Sequence, residues 1–167
     1  MLDFSNCICQ TLHREHLANI ALLQRFERLI AAQHLAAAAN ADSAVRQLLS
    51  ELASGLADEV ERHFAFEERD LFPYIEAMGN SAIAAHLTEE HSAIRPLVIR
   101  LAAMAREASQ RGFDDTSWDE FRRVGGELCN CMLPHIEKEE MTLLPLIEES
   151  MEAETETRLY QDYLESA

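Results

Sequence analysis

The sequence predicts an all-α protein, an up-down-up-down four-helix bundle, on three observations. Glycine and proline are scarce, with 5 and 4 copies in 167 residues. The chain is rich in Ala, Leu and Glu, which enter helices at little cost. Apolar residues recur at the three-to-four spacing of a helix face, and no alternating strand pattern of useful length interrupts them.

The first helix is expected from about Thr11 to Ala38, where Leu12, Ile20, Leu23 and Ile30 share a stripe with His16. It stops at Asn40-Ala41-Asp42-Ser43, whose short polar side chains favour caps. The second runs from about Ser43 to Leu71, and its stripe of Val45, Leu49, Leu52, Leu56 and Val60 continues through His63 and Glu67 until Pro73 and Gly79. The third starts near Ser81, carries Leu87, His91, Ile94, Val98 and Leu101 on one face, has Pro96 as a candidate kink, and stops at Arg111-Gly112. The fourth follows Asp114-Asp115-Thr116-Ser117 and reaches roughly to Met151, with Phe121, Leu128, Met132, His135, Glu139 and Leu143 on its stripe. Pro134 deprives the Asn130 carbonyl of its helical partner, which predicts a bend beside His135.

Long helices joined by short connections are antiparallel neighbours, hence the bundle. One domain spans 1–167, with the bundle over about 11–151 and an acidic segment at 152–167. Leu159, Tyr160, Tyr163 and Leu164 lie at helical spacing in that segment, predicting a short fifth helix that packs on the bundle or on a second copy, as in a homodimer.

With 14 basic against 30 acidic side chains, the formal charge is -16. That balance repels phosphate backbones and anionic lipid, so neither nucleic acid nor a membrane is an expected partner. The start, MLDFSNCICQTLHREH, has no basic region followed by an apolar run, and no stretch approaches the ~20 residues of a membrane span, so a cytoplasmic protein is expected. Cys7 and Cys9, like Cys129 and Cys131, are two apart, which is not C-x2-C spacing. On a helix Cys129 and Cys131 point about 200° apart and do not share a metal easily.

The chain repeats itself. His63-Phe-Ala-Phe-Glu-Glu-Arg-Asp-Leu-Phe-Pro-Tyr-Ile-Glu76 matches the segment His135 to Glu148 at seven of fourteen positions with an offset of 72, and Glu15-His16 matches Glu90-His91 at an offset of 75. Two helix pairs of one design imply an approximate two-fold axis. His63 and Glu67 are one turn apart and project toward one point, as do His135 and Glu139, while His16 and His91 each add an imidazole from a core stripe. A single histidine on an apolar face is usually a hydrogen-bonded core residue. Two glutamates in the same layer, with no Lys or Arg on those stripes, cost several kcal/mol each unless cations compensate them. A pair of dications is the compensation that fits, with His16, His63, Glu67, His91, His135 and Glu139 as ligands. This donor set suits iron and tolerates zinc or manganese, and the carboxylates are placed to bridge.

This pattern resembles the hemerythrin-like family of His-His-Glu cation-binding domains, from His16 to Glu148. The family's single histidine on each odd helix, and H-x3-E followed by an apolar-Pro element on each even helix, falls on those six residues. The ferritin-like arrangement uses E-x2-H, and no histidine here has a glutamate three residues earlier; H-E-x2-H is absent too. The resemblance implies two iron ions joined by an oxide or hydroxide, and a small diatomic or peroxide as ligand.

Oxygen carriers of the family are expected to place a second histidine one turn from the first on the third helix. Here those positions are Leu87 and Arg95. His86 lies about 140° round that helix, His13 is placed to reach the site or its surroundings, and His34 has no assigned role. Two six-coordinate irons need about twelve bonds; the six residues and the bridge supply about ten, leaving roughly one open position per iron, so nitric oxide is expected at both. This resembles family members linked to O2, NO or peroxide sensing, stress response and iron-sulfur repair more than a carrier. They often add a cysteine-bearing N-terminal region, of which Cys7 and Cys9 would be a remnant. The alternative is a metal-binding, iron-storage or regulatory module without turnover. Glu68 and Glu140 are expected outside the cage, unless a bend at Pro134 brings Glu140 to the metal in place of Glu139.

Overall fold

The computed structural model describes residues 4–32, 35–54 and 56–165; His34 lies outside them. Helices α1 (Cys7–Ala32), α2 (Ala36–Ala41), α3 (Ser43–Ser54), α4 (Leu56–Phe66) and α5 (Phe72–Ala77) are followed by α6 (Ser81–Arg111), α7 (Asp115–Lys138), α8 (Leu144–Ser150) and α9 (Ala153–Glu165). Cross-links between helices fix their directions. Arg25 pairs with Glu51 and His63 with Glu15, so α1 runs against the second rod; His91 pairs with Glu68 while Arg106 reaches the Ala53 carbonyl, and Glu90 pairs with Lys138 while Arg100 pairs with Glu120. Each neighbour is antiparallel, giving the up-down-up-down bundle.

Helix α1 begins four residues before the expected start because Asn6 Oδ1 accepts the N–H groups of Ile8 and Cys9. Ser5 and Asn6 in turn donate their N–H groups to the Glu148 carboxylate at the end of the fourth rod. Helix α1 is described as far as Ala32, and after the extended Leu35 a short helix spans Ala36–Ala41. Asn40 then clamps the α6–α7 turn, donating to the Phe113 carbonyl and accepting its N–H at 2.8 Å each. Asp114 opens α7 with a capping box on Ser117.

No break in the α-helix marks Pro134, beside which a bend was expected. Helix α7 stays α-helical through Pro134, and α6 through Pro96. The irregularity falls instead at Glu139–Leu143, a π-turn in which the Leu144 N–H reaches the Glu139 carbonyl, with a twin at Glu67–Leu71 where the Phe72 N–H reaches the Glu67 carbonyl. In both, the repeated proline, Pro73 or Pro145, lands in the first turn of the next α-helix, where its missing N–H costs nothing. The wide turn begins at the candidate ligand glutamate, as π-turns at functional sites commonly do.

Buried apolar side chains form two separate clusters. One holds Leu23, Phe26, Leu52, Leu101, Trp118, Phe121 and their neighbours; the other holds Phe4, Leu12, Phe66, Leu71, Leu87, Leu143 and Ile147. Leu159 and Tyr163 bring α9 onto the second cluster, so the fifth helix packs on its own bundle. The buried polar side chains His16, His63, Glu67, His91, His135 and Glu139 occupy the layer between the clusters. No helix among the described residues is long and apolar enough to cross a membrane.

One glycine holds two helices close. A Cβ on Gly125 would lie 1.8 Å from Cζ of the fully buried Phe26, whereas one on Gly126 would meet nothing within 4 Å. Gly125→Ala is therefore expected to cost about 1–3 kcal/mol by overpacking. Gly126→Ala should gain about 0.5–1 kcal/mol, because alanine gives up less backbone freedom in a helix. Urea unfolding of the two variants checks both signs.

Candidate metal centre

All six predicted ligands meet in one buried layer. His16 Nε2 lies 3.2 Å from His63 Nε2 and 3.1 Å from Glu139 Oε2, and His63 Nε2 lies 3.2 Å from Glu67 Oε1. On the other side, His91 Nε2 lies 3.1 Å from His135 Nε2, 3.3 Å from Glu67 Oε2 and 3.6 Å from Glu139 Oε1, which is 3.1 Å from His135 Nε2. Each glutamate thus sends one oxygen to each pair of imidazoles. The layer divides into two halves: His16 and His63 gather with an oxygen of Glu67 and of Glu139, and His91 and His135 gather with Glu139, while Glu67 reaches that half through His91.

These separations fit a metal cage. Bonds of about 2.1 Å set at right angles place neighbouring donors about 3.0 Å apart, and a tetrahedral arrangement places them about 3.4 Å apart. The Nε2–oxygen distances are of ion-pair length, yet none of the four oxygens of Glu67 and Glu139 has a well-formed hydrogen bond. Buried carboxylate oxygens without partners are rare and costly. At every imidazole the Nδ1 faces a carboxylate, so the ring proton belongs on Nδ1 and the Nε2 lone pair points inward, as in a metal-ligating histidine.

Those outer carboxylates follow the same two-fold pattern. Glu140 meets His16 Nδ1 at 2.7 Å and Glu68 meets His91 Nδ1 at 2.9 Å; Glu15 meets His63 Nδ1 at 2.7 Å and Glu90 meets His135 Nδ1 at 3.0 Å. Three have a permanent cation beside them: Arg95 forks onto Glu68 with two bonds of 2.9 Å, Arg62 donates to Glu15 at 3.1 Å, and Lys138 pairs with Glu90. Glu140 has His13 at 2.8 Å instead. Sequence reasoning placed Glu68 and Glu140 outside the cage and gave none of the four glutamates an imidazole partner. Glu15 and Glu90, like Glu68 and Glu140, are nonetheless related by the repeat that identified the ligands.

The electrostatics show the layer's demand for positive charge. Burial alone lowers the proton affinity of His63, but Glu67, Glu15 and Glu139 lift its pKa well above the ordinary histidine value. Burial likewise opposes protonation of His91, and Glu139 and Glu67 overcome it, raising the pKa to about 9. Burial raises the Glu139 pKa and the imidazoles of His135, His16 and His91 reverse this, so its carboxyl stays well below the usual range. Both glutamates therefore remain ionised, and a proton or a metal cation at Nε2 answers the same field. Metal loading displaces such protons.

The two halves have different surroundings. On one side Phe64 stacks on His91 with ring centroids 3.6 Å apart, Phe72 lies 5.4 Å away, and Leu87 is buried. On the other, a surface recess of about 230 Å³ is bounded by Glu15, Ala18, Asn19, Glu59, Arg62 and His63. It shares Asn19 and His63 with a cleft too tight for a water molecule, lined by His16, Val60, Met132, His135 and Glu139. His86 is exposed and pairs with Glu90 at 3.3 Å, away from the cage. Cys9 and Cys129 are buried, and burial pushes both thiols up to about 12, which leaves them unreactive.

A four-helix bundle with a buried layer of imidazoles and carboxylates, its nitrogen lone pairs turned inward, is a cation-binding protein of the His-His-Glu type. The family model for the hemerythrin HHE cation binding domain matches residues 8–147, and the chain belongs to that family. A search of curated proteins finds no match to the chain.

Proposed function

We propose that this chain is a non-haem di-iron protein that binds or reacts with dioxygen, nitric oxide or a peroxide in sensing or stress response. The observation that carries the proposal is the division of each glutamate's two oxygens between two pairs of imidazoles. One metal uses one such pair; two metals use both, and every donor is then engaged. The donor set of imidazole nitrogen and carboxylate oxygen, with no thiolate in it, favours iron and accommodates zinc or manganese. Iron in this setting supplies redox chemistry and coordination positions for a small ligand.

The chain's own residues supply the rest. Glu140, Glu15, Glu68 and Glu90 fix each imidazole's orientation and raise its basicity. Phe64, Phe72 and Leu87 keep water from the His91 side, and the Asn19 recess is the approach for a small ligand. Protein produced with iron and freed of loose metal is expected to contain close to two iron ions per chain and to show the near-ultraviolet absorption of a coupled diferric pair. A ratio near one, or a chain that ignores added iron, would overturn the proposal.

A further inference from the structure

Helix α9 breaks the two-fold pattern at one point. The Tyr163 hydroxyl lies 2.7 Å from each oxygen of Glu15 and donates to that carboxylate, which accepts from His63 Nδ1. The tyrosine ring packs 4.5 Å from Phe66, and the Arg62 guanidinium sits over it at 5.3 Å from the centroid. At the related position Glu90 pairs with Lys138 and the exposed His86. One imidazole of the cage therefore depends on a residue from outside the four bundle rods, and its counterpart does not.

We infer that Tyr163 is a positioning residue for His63, so that docking of α9 and cation binding at the His16/His63 half of the cage are linked. The inference rests on the dinuclear reading above. A cation on His63 Nε2 draws electron density from the ring and strengthens the Nδ1–H donated to Glu15. Glu15 accepts from His63 Nδ1, the Tyr163 hydroxyl and the Arg62 guanidinium together. A better-fixed Glu15 gives Tyr163 a better-fixed acceptor. Burial and Glu15 push the phenol above its ordinary range, so it remains a donor. Helix α9 buries Leu159 and Tyr163, and this bond joins the one from the Cys7 N–H to Glu156 in tying it down. Linkage is reciprocal: if α9 docking favours the cation, the cation favours α9 docking to the same extent.

The test is cobalt(II) binding to the full chain, followed by visible absorption against a competing chelator, together with hydrogen exchange of the α9 amides with and without cobalt. The wild-type chain should take two ions and show greater α9 protection when loaded. In Tyr163→Phe, which keeps the ring, one of the two ions should bind about tenfold more weakly, the low end for loss of an outer partner because Glu15 remains. The metal-dependent gain in α9 protection should disappear. Leu159→Ala loosens the same helix without touching Glu15 and should weaken the same ion. Two ions bound with both affinities unchanged in Tyr163→Phe, or both weakened equally, overturns the linkage alone. Wild-type α9 protection indifferent to cobalt does so too. A wild-type chain that binds one ion overturns the dinuclear reading and the linkage with it.

Discussion

Glu67→Ala and Glu139→Ala are each expected to lose most of both metal ions, the largest effect any single substitution should have on the centre. Each carboxylate serves both halves: Glu67 offers Oε1 beside His63 and Oε2 beside His91, and Glu139 offers Oε2 beside His16 and Oε1 beside His135. Removing either strips a donor from both positions and leaves the other carboxylate alone among four imidazoles. Glu68→Ala and Glu140→Ala touch only an outer partner of one imidazole. Both should still fill at saturating metal, with affinity lower by about 10–100-fold. Metal held at a hundredfold above its dissociation constant should stabilise the wild-type fold by about 2.7 kcal/mol, roughly 5–10 °C in a domain of this size. That gain should vanish in Glu67→Ala and Glu139→Ala. Elemental analysis after gel filtration and calorimetry with and without zinc decide the matter. Metal lost from Glu140→Ala and kept in Glu139→Ala would show that the fourth rod ligates through Glu140, contrary to the geometry.

The six residues that meet in the buried layer were legible because two periodicities coincide in the sequence. The helical period places His63 over Glu67 and His135 over Glu139, and the repeat brings both pairs into one layer. The outer carboxylates were harder to read, although the repeat marks them. Adjacent residues on a helix point about 100° apart, so Glu15 turns from His16 toward His63 on the neighbouring rod, and only the packing of α1 beside α4 reveals that partner. The π-turns were hidden for another reason. Helical periodicity over a few residues does not separate one wide turn from ordinary α-helix, and the bend was assigned to Pro134 because a mid-helix proline was the visible irregularity. The better signal was the shared proline six residues after each ligand glutamate, Pro73 and Pro145, which the structure places just beyond each wide turn. Tyr163 belongs to a segment outside the repeat, where only its helical spacing was readable.

Iron-loaded, reduced protein mixed with oxygen is expected to oxidise without forming a stable adduct that gives the oxygen back. Reversible carriage needs one iron closed to ligands and one open, and Leu87 stands where a further imidazole would close the His91 half. That side chain is 1% exposed, one turn before His91, and shares the second apolar cluster with Phe72 and Leu143. Equal donor counts gave the expectation of one open position on each iron; the surroundings alter it, since Phe64 and Phe72 cover His91 while the recess at Asn19 borders His63. On the proposed function a small ligand is expected from the His16/His63 side, and the His91 half is short of a donor behind an apolar wall. Leu87→His should supply that donor. Its imidazole would be costly among apolar neighbours without a partner, and a metal at the His91 half provides one. Leu87→Met, which keeps the volume, serves as the control. Stopped-flow absorption should show slower oxidation and a longer-lived oxygenated spectrum in Leu87→His, with Leu87→Met behaving as wild type. A wild-type oxygenated spectrum that reverts fully to the reduced one under vacuum would instead assign this chain to oxygen carriage and remove Leu87 from the explanation.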